Sequence, residues 1–438
     1  MHAGVRARSP IALLALVLAL FALLTTTVQT AHAAPAKESY TLAYDPAHPL
    51  PIGTYIGTKA ELQAKAGSQQ APTPPTLHDT GEKAAVAQSA KAAAIPAPAG
   101  MAAASGDNRA PTLDYCRSLY PNPSSPISAQ LSRWGWCFVG TCGYYSLTDG
   151  IVTGVTTYRC TIAGRGQTDD RHVLFDIGFD NFQDVGLVLV DTDLVVGWTA
   201  AGYSGDDGSN GPCSLVYSAP TRKLLWQLGM TGTAEVWDTD SNGYGDDKIS
   251  RCTAQANAHS DIPIWGEIAS KPVRLDSATY IPGQPTAGLF PDTIGSMNAY
   301  SRTNPAHAAV ALHIYDAQAT PVYTRPAKAD KAIPGGVASG QPLHRLYPRP
   351  GSAEETRYKL NRSTVSTTCD QEFGTLDTDL QCDEYPFASS YEGAGYANGN
   401  FSVRPVPKTQ NLSAGGSLVA YYNSDRILNG DPYWVEIG

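Results

Sequence analysis

This 438-residue sequence predicts a mainly β N-terminal domain, a disulfide-containing sandwich or barrel, followed by a small α+β C-terminal domain. Three observations predict it. Between about Pro111 and Pro282, short apolar or alternating runs are separated by Gly, Asp and Asn turns, with few helical periodicities. Six of the eight cysteines fall in that stretch. From Gln341 onward the pattern changes to capped helical segments and single alternating strands.

At the N-terminus, Arg6 and Arg8 precede an apolar run from Ile11 to Leu24, and Ala31-His32-Ala33 supplies small residues for cleavage. Together these read as a secretory signal peptide over 1–33. The run is about 14 residues, shorter than the roughly 20 that cross a bilayer as a helix. Residues 34–110 are dominated by Ala, Pro, Ser, Lys and Gln and cannot bury a core. They are expected to form a disordered linker or propeptide, with room for a short ordered piece near Tyr40 to Ile56.

The β domain is expected over 111–282. Its runs are Val173 to Phe179, Gly186 to Trp198, Ser214 to Tyr217, Leu224 to Leu228 and Ala234 to Trp237. An even number of cysteines in an exported chain points to disulfides, with Cys137 and Cys142 as part of a metal site the weaker reading. Six cysteines allow 15 pairings, so the connectivity stays open. Asp238, Asp240, Asn242 and Asp246 place oxygen ligands at alternate positions around a glycine turn, as calcium loops do. The twelfth position of such a loop is Ile249, not Glu, so a structural Ca2+ site and a plain acidic hairpin turn both stand.

Residues 283–340 are Pro-rich and read as a connecting region, apart from Pro305 to Ala317, a strand or short helix. The last unit spans 341–438. Ser352-x-x-Glu355 is a capping box opening a helix to about Thr364. Phe401 to Val406 alternates as a strand, Asn411 to Asn423 reads as a helix despite Gly415 and Gly416, and Tyr433 to Ile437 reads as a final strand.

A net charge of −9 argues against binding nucleic acid through a broad basic surface. Residues 341–438 hold 8 Lys plus Arg against 12 Asp plus Glu, so any polyanion approaching them needs intervening cations. Asp383 and Glu384 are adjacent and face opposite sides if extended, one group for a metal or water and one for orientation. Without further context such a pair is more often a solvated edge beside a disulfide.

The string Cys382-Asp383-Glu384-Tyr385-Pro386-Phe387-Ala388-Ser389-Ser390-Tyr391-Glu392-Gly393 is followed by Phe401-Ser402-Val403-Arg404, Gln410-Asn411, Gly415-Gly416 and Asn429-Gly430-Asp431-Pro432-Tyr433. This ordered set resembles the NucA/NucB deoxyribonuclease domain, a family of small secreted bacterial DNases with a ββα-metal-type site. The resemblance covers about the last 100 residues. It implies that Asp383 and Glu384 sit on the hairpin as general base and acidic partner, and that Asn411 on the helix joins Glu384 as a ligand of Mg2+ or Mn2+. It also implies DNA as the substrate and a secreted, extracellular, nonspecific endodeoxyribonuclease as the function.

Most ββα nucleases use His as the base; no histidine follows His344 here, so a carboxylate base is required unless His344 folds back. Asn411 has a rival role as N-cap of a helix starting at Leu412. Arg404 is a phosphate contact or an ordinary exposed residue. His344, Arg345 and the Asn361-Arg362 pair are further candidates to face the substrate, and Glu392 either orients a ligand or closes a turn. Cys369 and Cys382 are 13 positions apart, and a bridge between them would hold the chain just before Asp383. Leu412 to Ser424 holds no carboxylate, so the metal shell would rely on water. Two rivals remain: a secreted binding protein for a glycan, wall component or partner with an inactive nuclease-like module, and an interbacterial toxin with the same chemistry.

Overall fold

The computed structural model describes residues 37–45, 48–66, 111–121, 123–203, 213–291 and 294–438. The expected signal peptide and most of 34–110 lie outside the described residues.

Period-two alternation builds the large sheet. Strand β4 (Ile151–Thr168) buries Val152, Gly154, Thr156, Tyr158 and Cys160, with the residues between them half-exposed. Strand β5 (His172–Gly186) buries Val173, Phe175, Ile177 and Phe179 in the same way. Each such apolar side chain withdrawn from water contributes about 1.5–3 kcal/mol.

β4 pairs with β3 (Gly135–Thr148) on one edge and β5 on the other, and β3 also takes β2 (Ile127–Ser132), all antiparallel, while the short helix α2 (Leu113–Leu119) is tied to β3 by Cys116–Cys137. β5 continues the sheet through β8 (Gly232–Trp237) to β7 (Ser214–Ser218). β4 also outruns β3, and its Gln167 and Thr168 pair with Gly288 and Ala287 of β11 (Ala287–Leu289). From β11 the sheet passes through β10 (Gly266–Asp276) and β9 (Ser250–His259) to β6 (Val195–Tyr203). β6 returns alongside β7, so the 11-stranded sheet is a near-closed barrel around Trp136, Phe175, Trp198, Trp226 and Phe290.

The short ordered piece expected near Tyr40 to Ile56 includes β1 (Ser39–Ala43), which pairs with β3, and order extends past Ile56 into helix α1 (Lys59–Ala66), so that Tyr40 and Leu62 are buried against Leu147 and Val152. Apolar residues at alternate positions gave this piece a surface to dock on. Leu224 to Leu228 forms part of a short helix, α3 (Lys223–Gln227), with Trp226 turned into the barrel. The cysteines pair as Cys116–Cys137, Cys142–Cys160, Cys213–Cys252 and Cys369–Cys382, so Cys137 and Cys142 are disulfide partners of other residues and not a metal pair. Among the described residues no helix is long and apolar enough to cross a membrane.

The connecting region is the largest departure. Its first part, β11, belongs to the barrel. The rest supplies β12 (Gly295–Tyr300) and α4 (Ala308–Ala319), both part of the C-terminal unit. β12 pairs in parallel with the final strand β16 (Pro432–Ile437), whose other edge takes β13 (Leu343–His344). Met297, Val310, Ile314, Leu343, Tyr385, Leu418, Tyr433 and Val435 share one core. Of the two readings of Pro305 to Ala317 the helix is the one observed, with a buried stripe, Val310, Ile314 and Ala317, at helical spacing; what the Pro-rich surroundings obscured is that it belongs to the C-terminal core.

The two units meet across buried charge. Arg274 donates to Asp431 at 2.6 Å and to Asp276 at 3.0 Å, while Arg426 reaches Asp276 at 2.7 Å and Arg133 reaches Asp431 at 3.2 Å. Nearby, the rings of Tyr280 and Tyr347 stack at 3.8 Å between units.

Candidate active site

A hairpin and two helices form a cleft of about 470 Å³ in the C-terminal unit. Its floor is β14 (Leu380–Tyr385), paired antiparallel with β15 (Ser402–Pro407). β15 runs directly into α6 (Lys408–Ser424), which forms one wall. The opposite wall is α5 (Ala353–Phe373).

α5 starts where Ser352 accepts a hydrogen bond from the Glu355 N–H at 3.1 Å, and ends at Gly374, whose φ of 71° suits glycine. It runs nine residues past the expected end at Thr364. Its Tyr358, Arg362 and Ser366 recur at helical spacing and face the cleft. Asn361, fully buried, donates to the carbonyls of Ala388 and Ser390 at 2.9 and 3.1 Å and accepts from the Gly395 N–H at 3.0 Å. Asn361 therefore holds the loop after β14 and does not face a substrate. Cys369–Cys382 ties α5 to β14 one residue before Asp383.

On the floor, Asp383 and Glu384 diverge as neighbours on a strand must. Asp383 is buried, and its Oδ2 lies 2.7 Å from Nδ1 of His313 on α4. His313 has no exposed surface, and its Nε2 lies 2.7 Å from Ser402 Oγ on β15. Glu384 turns to α5, where Arg362 Nη1 donates to it at 3.0 Å. Burial pushes the Glu384 carboxyl pKa up, with Arg362 opposing and Asp383 adding to the rise. Asn411, in the second turn of α6, donates from Nδ2 to Gln381 Oε1 at 3.2 Å. Asp383, Glu384, Gln381, Asn411 and Ser389 all line the cleft.

Asp383, Glu384, Asn411 and Arg362 are thus brought together, whereas Arg404, His344, Arg345, Asn361 and Glu392 are not among the residues lining this cleft. The N-cap of α6 is Pro407, so Asn411 does not cap that helix. Arg404 stands opposite Asp383 in the hairpin register but pairs with Asp316 of α4 at 2.8 Å. Glu392 accepts from the His344 backbone N–H at 2.9 Å and lies 2.7 Å from its Nδ1, which ties this loop to β13. Arg345 is buried, with its guanidinium over the rings of Tyr280, Tyr347 and Tyr422.

In the acidic loop, Asp238 is gripped by Arg171 at 2.8 and 2.9 Å, Asp240 bonds Ser277, and Asp246 pairs with Arg349 at 3.1 Å. Asn242 lies in the 3-10 turn Asp240–Asn242. Residues 244–249 close a hairpin through the Tyr244–Ile249 bridge. Among the described residues, no three His, Cys, Asp or Glu side chains converge as a metal cluster. The loop's carboxylates are thus partnered by Arg171, Ser277 and Arg349, the last from the C-terminal unit.

Residues 336–436 match the family model for deoxyribonuclease NucA/NucB. That segment holds both strands of the hairpin, α5, α6 and every cleft residue except Tyr300 and Val310. No curated protein and no solved structure matches the chain. α4 and His313 lie upstream of the matched residues. His313 escaped the sequence reading because its helix was taken as part of a connector. The available signal was a histidine beside the apolar stripe Val310, Ile314 and Ala317, where a buried ring must find polar partners.

The donors in the cleft suit a hard divalent cation. They are carboxylate, amide and hydroxyl groups, without sulfur. Glu384 is a carboxylate with 12% of its side chain exposed, and its cationic partner Arg362 is itself 55% exposed. Glu384 and Asn411 offer one carboxylate and one amide, a ligand set that a cation keeping several waters accepts.

Proposed function

We propose that the C-terminal unit is a metal-dependent endodeoxyribonuclease, secreted, and indifferent to base sequence. The observation that carries this reading is the convergence of Asp383, Glu384 and Asn411 on one cleft, inside the segment that matches a deoxyribonuclease family. Glu384 and Asn411 would hold Mg2+ or Mn2+, which when bound supplies positive charge against the scissile phosphate and leaving oxygen.

Asp383 acts as general base. With Oδ2 on His313, its other oxygen accepts a proton from the attacking water. Arg362 pairs with Glu384 yet stays largely exposed, so it can contact a phosphate oxygen as the strand enters. No side-chain array in the cleft is arranged to read base edges, and phosphate contacts carry no sequence information. Disulfide pairing of all eight cysteines suits an oxidising compartment and supports secretion.

The test is cleavage of supercoiled plasmid by the full chain with Mg2+ or Mn2+, with EDTA, and with Asp383→Asn. Cutting is expected with either metal, none with EDTA, and a loss on the order of 10²–10⁴-fold for the variant. Full cutting by Asp383→Asn would remove the base assignment. No cutting by folded wild-type protein would favour the reading as a binding protein.

A further inference from the structure

α4 is fastened to the catalytic hairpin and to α6 at four places. The Ala309 N–H donates to Gln410 Oε1 at 2.7 Å, next to Asn411. His313 bridges Asp383 and Ser402. Asp316 accepts from Arg404 at 2.8 Å, and Gln318 donates to Tyr385 Oη at 2.8 Å. Residues 309, 313 and 316 recur at three- and four-residue spacing, so one helix face presents the contacts.

We propose that His313 is the positioning residue of the active site, fixing which face of Asp383 is offered to water. The inference rests on the nuclease reading above and names a residue outside the matched family segment. Since Asp383 Oδ2 can only accept from it, Nδ1 carries the hydrogen and Nε2 is left as acceptor. The Ser402 hydroxyl is free to rotate and can donate to Nε2, so it accommodates the tautomer that the Asp383 carboxylate selects. With both ring nitrogens engaged at 2.7 Å, the imidazole cannot turn, and Oδ2 of Asp383 is held with it.

His313 has no exposed surface and touches no substrate. Stability alone does not call for this arrangement, because a buried polar pair replaced by well-packed apolar groups is often neutral or stabilising. The pair makes sense through what Asp383 does. An aspartate side chain turns about two torsions, χ1 and χ2, and a base must hold its acceptor oxygen within hydrogen-bond reach of the proton it removes.

The experiment uses the full chain. His313→Leu, which removes both hydrogen bonds, is expected to lower kcat by about 10–100-fold, the usual cost of losing a group that orients a site residue, with KM nearly unchanged. His313→Asn keeps an N–H donor where Nδ1 stood and is expected to recover most of kcat; Ser402→Ala should fall between. Thermal unfolding of each variant separates loss of fold from loss of rate.

A folded His313→Leu with wild-type kcat, or an asparagine variant no better than leucine, overturns the proposal. One readout needs no variant: in protein carrying 15N-histidine, the buried imidazole is expected as the Nδ1–H form, and an Nε2–H form overturns it. Failure of the nuclease reading looks different, since wild-type protein would then not cut, or Asp383→Asn would cut as well as wild type. Either result takes this inference with it.

Discussion

Asn411 is the fourth residue of α6, past the N–H groups that a capping side chain would serve. Loss of a true N-cap costs about 1 kcal/mol. In its actual place, Asn411→Ala should leave stability unchanged or raise it by up to about 0.7 kcal/mol, because alanine is the better helix former. Cleavage should nevertheless fall by about 10-fold or more if the amide holds the cation. Urea unfolding and plasmid cleavage on the same preparation decide it; a destabilised variant that cuts normally would sink the ligand role. The residue was legible as a site candidate, but its place in the helix was not. The sequence shows a strand up to Val406 and apolar spacing from Leu412, and hides a helix that starts at Lys408 with no loop between. Pro407, with φ of −54°, already has the helical torsion and no N–H to leave unpaired. Arg404, His344 and Arg345 differ in another way: in the sequence they stand near a catalytic motif as candidate phosphate contacts, and the structure gives each a carboxylate or aromatic partner that no local pattern announces.

At the scale of elements, the capping box of α5 was readable because it is local, and the helix's far end was not. Ser363, Thr364, Ser366, Thr367 and Thr368 are weak helix formers, and propensity alone stops the helix there. Long-range anchoring carries it on: Val365 and Cys369 are buried, and Cys369 is bonded to Cys382. That disulfide joins the wall bearing Arg362 to the floor bearing Asp383. Replacing both cysteines by serine should cost about 3 kcal/mol, as expected for a loop of 13 residues. It should also lower cleavage under conditions where the protein remains folded, since wall and floor are then free to shift. The check is a melting curve beside a cleavage assay well below the transition. Equal melting temperatures for the two proteins would show that the bridge carries no load, and normal cleavage at reduced stability would confine its role to the fold.

For the whole molecule, the sequence suggested two units joined by a connecting loop region, and the structure shows part of that region built into both units across a junction of buried charge. A boundary at Gln341 would strip β12 from β16 and remove α4 with His313, because parallel pairing across 130 residues leaves no local pattern in the sequence. The charges that close the junction were likewise unreadable: Arg133, Arg274 and Asp276 come from the barrel, Arg426 and Asp431 from the C-terminal unit. Burial alone would raise the pKa of Asp431, but Arg274 and Arg133 hold it well below the usual carboxylate range. A depressed folded pKa means that this carboxylate contributes its full stability above the unfolded value near 3.8 and loses it as pH falls below that. Asp431→Asn leaves three buried guanidinium groups facing one carboxylate, and should destabilise by about 3–5 kcal/mol at pH 7. Urea unfolding at pH 7, 5 and 3 should show the gap between variant and wild type constant at the two higher values and narrower at pH 3, where the unfolded wild-type chain takes up a proton on Asp431 that the folded protein does not. A gap independent of pH, or none at pH 7, would mean that the junction is held by the Tyr280–Tyr347 stack and the Arg349 contacts, with Asp431 incidental to it.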